Sequence, residues 1–356
     1  MSKEIQNVKI YACGGAGTSI VRELRNQVDC KEIVNGFSGY QVTYVNTSES
    51  DFRDLSLFEK QLKEWGDTAY FYKGIDGSGK NQTENLEVIS ESPRTIVKAH
   101  PPLDLNLVVF SGIGGSGSVI GPALINHLLS EGKPVIGICI SGMESGDAVR
   151  NSASTYMMLQ DIATANKKPV VLAQFFNENR TIKEVNAAIM VFIIEMTSLM
   201  SVSNTGIDSK DLANWLNYTL LNPALEPGLA SIVNYRINSN TEDGKISDVL
   251  DDVISVMSLV TKGEDAVLTP RPSSQNIGLF ETPSKFKYEL HSAILLNHAA
   301  DRFDELAAAH EEDLERASEQ AARSKRLTAP AKPKGRPLAG IGGISVLGNK
   351  GTAKRR

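Results

Sequence analysis

The feature that most narrows what this chain can fold into is one local pattern written three times. A short run of β-branched and apolar residues breaks off into a glycine-rich loop. Val8–Cys13 runs into Gly14-Gly15-Ala16-Gly17-Thr18, and Ile20, Val21 and Leu24 follow at helical spacing. Ala69–Tyr72 runs into Gly74-Ile75-Asp76-Gly77-Ser78-Gly79-Lys80. Leu107–Phe110 runs into Gly112-Ile113-Gly114-Gly115-Ser116-Gly117-Ser118, with a helical stretch over Pro122–Leu129. Further strands read at Gln41–Val45 (ending in Asn46-Thr47-Ser48), Pro134–Ile140 and Val170–Phe175, and a helix starts near Asp147. Strands apolar on both faces and alternating with helices specify an α/β chain, a Rossmann-like parallel sheet covered on each side. Such sheets bind ligands at the carboxyl ends of their strands, where the glycine loops fall.

Each loop alone is a weak signal. Glycines at a strand-to-helix turn let backbone N–H groups approach an anion at the positive end of a helix, but they also serve plain close packing. The first loop fails the pattern G-x-G-x-x-G: counted from Gly15, Gly17 fits and Ile20 does not. The second nearly fits G-x-x-x-x-G-K-[ST] from Gly74 to Lys80, but Asn81 replaces the hydroxyl residue that would ligate magnesium. A surface turn or another kind of phosphate loop suits it better. The third offers two hydroxyls, Ser116 and Ser118, beside its glycines. Three such loops at one sheet edge point to a polyphosphate.

Further along, Thr181 to about Met200 reads as a long helix, apolar on most faces, with Asn186 as a polar exception. A buried amide without a partner costs on the order of 1–3 kcal/mol, so Asn186 must meet either a protein group or a ligand. Past Asn204 the character changes. Leu212–Phe286 mixes short strands (Ser231–Ile237, Ala266–Leu268) with an amphipathic helix over Ile246–Val260, a smaller α+β region. Phe286–Gln320 reads as a long helix whose Tyr288, Leu295, Phe303 and Leu306 would pack back onto the body. The expected division is 1–180, a core helix at 181–203, a second domain at 204–285, a C-terminal helix at 286–322 and a flexible tail at 323–356.

Of the 356 residues 41% are hydrophobic and 22% charged, the balance of a packed chain. The net charge of −5 hides an asymmetry. From Arg323 to Arg356 there are ten Lys or Arg and no acid, whereas Asp301–Glu319 holds eight acidic residues on an Ala-rich helical pattern. A basic tail on an acidic body suits contact with a neighbouring copy, with DNA or with an adaptor, and equally a solvated segment that aids solubility. No apolar run approaches the roughly 18 residues of a membrane span. Met1-Ser-Lys-Glu lacks the apolar stretch of a signal peptide. Three cysteines without zinc spacing and five scattered histidines argue against a disulfide scaffold or a His-based metal site. The expectation is a cytoplasmic protein.

On these residues the chain resembles the tubulin/FtsZ superfamily. Gly114-Gly115-Ser116-Gly117-Ser118 is similar to the tubulin signature loop GGGTGSG, with Ile113 at its first glycine and Val119 at its last. Gly14, Gly15, Ala16, Gly17 and Thr18 sit where that family has its first phosphate loop. Asn46-Thr47 matches the second loop, and Gly74–Asn81, with Gly77, Ser78, Gly79 and Lys80, matches the loop that senses the terminal phosphate. Asp147 and Asn151 fall where ribose contacts occur. Asn186 matches the core-helix residue that reads guanine, and Ile182 stands where a stacking Phe is common. The interval from Asn186 to Asp208 equals the family's interval from guanine reader to synergy loop. That loop, usually N-x-D-x-x-D, reads Gly206-Ile207-Asp208-Ser209-Lys210-Asp211 here. The atypical loops look most like the phage and plasmid tubulins of the PhuZ and TubZ type.

The resemblance implies GTP or GDP as ligand with Mg²⁺, held with no confident protein side-chain ligand. It implies head-to-tail filaments in which Asp208 and Asp211 act on the neighbouring subunit's GTP, in the service of positioning or segregating phage or plasmid DNA. Two other readings stand beside it: a nucleotide-binding scaffold with little hydrolysis, and a nucleotide-cofactor enzyme on a Rossmann-like sheet. From spacing alone, Asp208 and Asp211 also read as a helix N-cap and a first-turn acid.

Overall fold

The computed structural model describes residues 6–27, 39–48, 51–52, 54–75, 77, 82, 86–143, 145–200, 208–237, 253–261, 275–280 and 289–328. In chain order the elements are β1 (Gln6–Cys13), α1 (Gly14–Gln27), β2 (Gly39–Asn46), α2 (Leu55–Trp65), β3 (Thr68–Phe71), α3 (Leu86–Glu91) and α4 (Pro93–Ala99). Then come β4 (Leu105–Ser111), α5 (Gly117–Ser130), β5 (Val135–Ser141), α6 (Gly146–Asn166), β6 (Val170–Phe176), α7 (Ile182–Leu199), α8 (Ser209–Leu216) and α9 (Tyr218–Leu221). The rest are β7 (Leu229–Ile237), β8 (Val253–Thr261), β9 (Gln275–Phe280), β10 (Glu289–Leu295) and α10 (Asn297–Thr328).

The ten strands among the described residues join one sheet in the order β3-β2-β1-β4-β5-β6-β7-β10-β8-β9. From β3 to β7 every neighbouring pair is parallel. Alternation along β1 divides the core, as a two-residue side-chain period requires. Val8, Ile10 and Ala12 face α1, α7 and α8 through Ile20, Leu24, Ile189, Met196 and Trp215. Tyr11 and Cys13 face α5, α6 and α10 through Leu124, Tyr156 and Leu306. The α/β architecture with a mainly parallel sheet is as the sequence predicts.

Helix α7 is set at its start by a capping box. Thr181 Oγ1 accepts from Glu184 N at 3.2 Å, and Glu184 Oε2 accepts from Thr181 N at 2.8 Å. Farther along, Glu195 is only 4% exposed and accepts from Asn234 Nδ2 at 2.9 Å. Ser292 donates to Asn234 Oδ1 at 2.8 Å, so one polar chain ties α7 to β7 and β10. Beyond β7, strand β10 runs antiparallel to both β7 and β8.

Two expected helices are corrected. The helix over Ile246–Val260 is strand β8 from Val253 onward; its remainder lies outside the described residues. Val253, Ile254, Val256 and Val260 are β-branched, and pairing with β10 decides the state where local periodicity was ambiguous. From Glu289 onward the helix expected over Phe286–Gln320 is strand β10 followed by α10, which runs on to Thr328, and Phe286–Tyr288 lie outside the described residues. Leu290 to Leu295 are all buried, with a partner strand on each side, and six residues buried on both faces suit a strand as well as a helix turn. Phe303 and Leu306 do pack against the body, whereas Leu295 belongs to the strand. Ala266–Leu268, Gly206 and the tail past Thr328 lie outside the described residues. Residues 1–313 form one unit by contact and residues 314–356 another.

Candidate functional site

The glycine loops converge on the carboxyl edge of the sheet. Gly14 opens α1 directly after β1 with φ of 66°, and a Cβ there would lie 2.8 Å from both Cα and N of Gly117, the first residue of α5. Two helix N-termini thus stand side by side, and only glycine lets their backbones approach so closely. A Cβ at Gly17 would overlap the Val109 carbonyl oxygen, so α1 is seated against β4. Amide groups at adjoining helix starts suit a chain of phosphates.

The loop after β2 joins them. Asn46 Nδ2 donates to Asp51 Oδ2 at 2.7 Å, and Asn46 Oδ1 accepts from Thr47 N at 2.8 Å. Thr47 Oγ1 and Ser116 Oγ share a hydrogen bond of 2.6 Å. The Asp51 carboxylate lies 3.0 Å from where a Gly15 Cβ would be. Ser118, expected to offer its hydroxyl outward, instead donates to the carbonyls of Gly114 at 2.5 Å and Gly115 at 2.9 Å, bracing the loop from beneath. Thr18 is likewise buried. Gly77 faces Ser48 across the loop edge; Ser78, Gly79 and Lys80 lie outside the described residues.

On the far side of the third loop, Asn151 Nδ2 donates to the Ile113 carbonyl at 2.8 Å. Gln82 Nε2 donates to Asn151 O at 3.0 Å and to Thr155 Oγ1 at 3.1 Å. Asp147, in the first turn of α6, pairs with Arg150. Asn186 lies in the second turn of α7, half-buried, and its side chain makes no hydrogen bond among the described residues. One turn before it, Ile182 is 73% exposed, an uncovered apolar surface on the same helix face.

Asp208 and Asp211 are elsewhere. Asp208 caps α8, accepting from Lys210 N at 2.8 Å and Asp211 N at 2.9 Å, and Asp211 accepts from Asp208 N at 3.2 Å. Backbone N–H groups of Asp211 and Lys210 hold the Asp208 carboxyl below its usual range, so it is an anion in solvent. Ala213, Asn214, Leu216 and Asn217 line a depression with Pro134, Val135, Lys168 and Pro169, at the amino-terminal ends of β5 and β6. Helix α8 therefore sits at the sheet edge opposite the glycine loops, a strand length of roughly 23 Å away.

Among the described residues the thiols of Cys13 and Cys139 are buried. Burial pushes the Cys13 thiol up, and that of Cys139 to about 11, so both stay protonated. Among the described residues no three or more His, Cys, Asp or Glu gather as a metal site, and no helix is long and apolar enough to cross a membrane. Asp51, Gln82 and Arg150 contact the candidate site residues and were missed by the sequence reading. No motif marks them; Asp51 is found only from the approach of its loop to Gly15.

No protein-family model matches the chain. It is 25% identical over 307 residues to the phage tubulin-like protein of Pseudomonas phage PhiPA3, across 85% of this chain and 89% of that one. To the phage tubulin-like protein of Pseudomonas phage phiKZ it is 28% identical over 217 residues, 59% of this chain and 62% of that one. Among solved structures, the protofilament of TubZ from bacteriophage PhiKZ superposes with a TM-score of 0.73 at 21% identity, over 94% of this chain and 96% of that one. The phage tubulin PhuZ with GDP gives 0.73 at 19% identity, over 95% and 98%.

Proposed function

The chain belongs to the tubulin/FtsZ superfamily as a phage tubulin-like protein, and from that premise we propose that it is a GTPase that assembles head to tail into filaments. The observation that carries this reading is the separation of two half-sites. Loops that suit a triphosphate occupy one edge of the sheet, and the carboxylates of Asp208, exposed, and Asp211, half-buried, belong to α8 at the other. Helix α7, about 27 Å long, spans the distance between them. One subunit cannot bring its own α8 to its own nucleotide. A copy stacked head to tail can, and such a contact does not close on itself.

In this reading the amides at the starts of α1 and α5 bind the phosphates, Asp147 and Asn151 face the ribose, and Asn186 reads guanine beside Ile182. The oxygens that would be offered to Mg²⁺ beside the phosphates are the Thr47 and Ser116 hydroxyls, with the Asp51 carboxylate on the same loop as Thr47. The ion, when bound, neutralises phosphate charge. Asp208 and Asp211 of the neighbouring copy orient a water for attack on the terminal phosphate, and positioning with charge stabilisation is the main demand of phosphoryl transfer. The protofilament of TubZ from bacteriophage PhiKZ and the GDP complex of the phage tubulin PhuZ support both parts of the reading. Positioning or segregating phage or plasmid DNA is the use such a filament would serve, and the basic tail would contact a neighbouring subunit, DNA or an adaptor.

Light scattering with parallel phosphate release, run with GTP and then with ATP, tests it. Phosphate release that climbs steeply with protein concentration, with GTP only, is the expected result. One observation favours a second reading, a filament with little hydrolysis: both carboxylates of α8 are already engaged in capping, and Gly206 replaces the synergy-loop Asn. Scattering without phosphate release selects it.

A further inference from the structure

The C-terminal helix meets the ribose-side helix at one charged point. Asp313 of α10 lies over the first turn of α6 so closely that a Cβ at Gly146 would overlap its carboxylate. Arg150, one turn into α6, donates through Nη1 to Asp313 Oδ2 at 3.2 Å and holds Asp147 with Nη2. One guanidinium is therefore divided between a carboxylate of the C-terminal helix and the carboxylate assigned to the ribose. Nearer the start of α10, Arg302 pairs with Glu178 and stacks over the Phe176 ring at 4.1 Å. Both partners lie at the lead-in to α7, which carries Ile182 and Asn186. The first part of α10 thus grips the ribose side and the base side of the site together.

We propose that Asp313 is a positioning residue for the nucleotide: by sharing Arg150 with Asp147 it keeps the Asp147 carboxylate turned to the ribose, so that seating of α10 and binding of nucleotide favour one another. The proposal rests on the GTP-binding reading above. Without Asp313, both arms of Arg150 close on Asp147, its neighbour on the same helix face, and compete with the ligand for that carboxylate. Asp313 also places a negative charge at the positive end of α6, which steadies its first turn. The coupling must run both ways: what α10 does for nucleotide affinity, nucleotide does for α10. Glycine at 146 is what makes the seat possible. Its φ is not left-handed, so nothing but the proximity of Asp313 asks for glycine there.

The test titrates a fluorescent GDP, at protein concentrations too low for assembly, into the full chain and into Asp313→Asn and Gly146→Ala. The alanine variant changes no charge and raises helix propensity, yet its methyl displaces Asp313. Both variants are expected to bind about two- to fivefold more weakly, the size of a partly exposed ion pair. Hydrogen exchange over residues 297–313 should slow when GDP is added to the unsubstituted protein and not in either variant. A merely structural Asp313 would lower the melting temperature and leave that nucleotide response intact. Unchanged affinity in both variants, or exchange in the unsubstituted protein that ignores GDP, overturns the proposal. An unsubstituted protein that binds no GDP at all overturns the GTP-binding reading first, and this proposal with it.

Discussion

The hydroxyls of Thr47 and Ser116 meet at 2.6 Å, joining loops 69 residues apart in the chain. With the backbone contact of Gly14 and Gly117 beside them, they make one surface out of loops that the chain order keeps separate.

Gly14 and Gly66 both hold a left-handed backbone, at φ of 66° and 72°. Alanine at either costs about 1–2 kcal/mol of backbone strain. At Gly66 there is open space around the new Cβ, but at Gly14 the Cβ strikes the start of α5. Gly66→Ala should lower stability and leave nucleotide affinity unchanged. Gly14→Ala should lower stability further and abolish binding of fluorescent GDP, the phosphate surface having been pried open.

Asp208 serves as N-cap and, in the proposed reaction, as a carboxylate for the neighbouring subunit. Asparagine caps as well as aspartate does, so Asp208→Asn separates the two duties. Thermal melting should be unchanged, GDP affinity and filament formation should persist, and phosphate release should fall on the order of 10²-fold. Release at the original rate removes Asp208 from the catalytic assignment.

Asn186 has no side-chain partner within the described protein, and Ile182 offers an exposed aliphatic surface one turn away. Asn186→Ala should therefore leave the melting temperature in place, weaken GTP binding about tenfold, the worth of 1–3 kcal/mol of hydrogen bonding, and narrow the preference for GTP over ATP. Ile182→Phe, adding a ring for the base to stack on, should tighten GDP binding severalfold.

His291 is buried on β10, and burial lowers its pKa from the ordinary 6.5 to about 4. The unfolded chain takes up a proton at higher pH than the folded one. Stability contributed by the neutral ring is thus fully present above 6.5 and declines as pH falls through the window toward 4, by about 3 kcal/mol in all. Denaturant melts at stepped pH should show that slope, and His291→Gln should flatten it.

The parallel half of the sheet was legible because its signals are local. Each strand is a short apolar run stopped by glycine or a polar turn, and each helix behind a loop shows its own period. Helix α2, which the sequence analysis does not include, has equally local signals: Asp54 caps it by accepting from Leu57 N at 3.0 Å, and Gly66 ends it in the left-handed conformation. Past β7 the same reasoning failed. Runs such as Val253-Ile254-Ser255-Val256 and Leu290-His291-Ser292-Ala293 carry no period that separates strand from helix. Their state is set by ladder bonds to one another.

The chain's letters alone determined which backbone groups are left free to meet an anion, because only glycine removes the Cβ that would block them. They also determined that α7 must carry a polar group at Asn186, since an apolar helix leaves a lone amide nowhere to hide. What only the tertiary structure decided is which of these groups share a surface. Thr47 reaches Ser116 and Asp51 reaches Gly15 because β1, β2 and β4, far apart in sequence, lie side by side in parallel register, and Asp313 reaches Gly146 because α10 packs across the start of α6. The same register sends α8 to the opposite edge. A parallel strand order is settled by long-range pairing and core packing, which no local run of residues encodes.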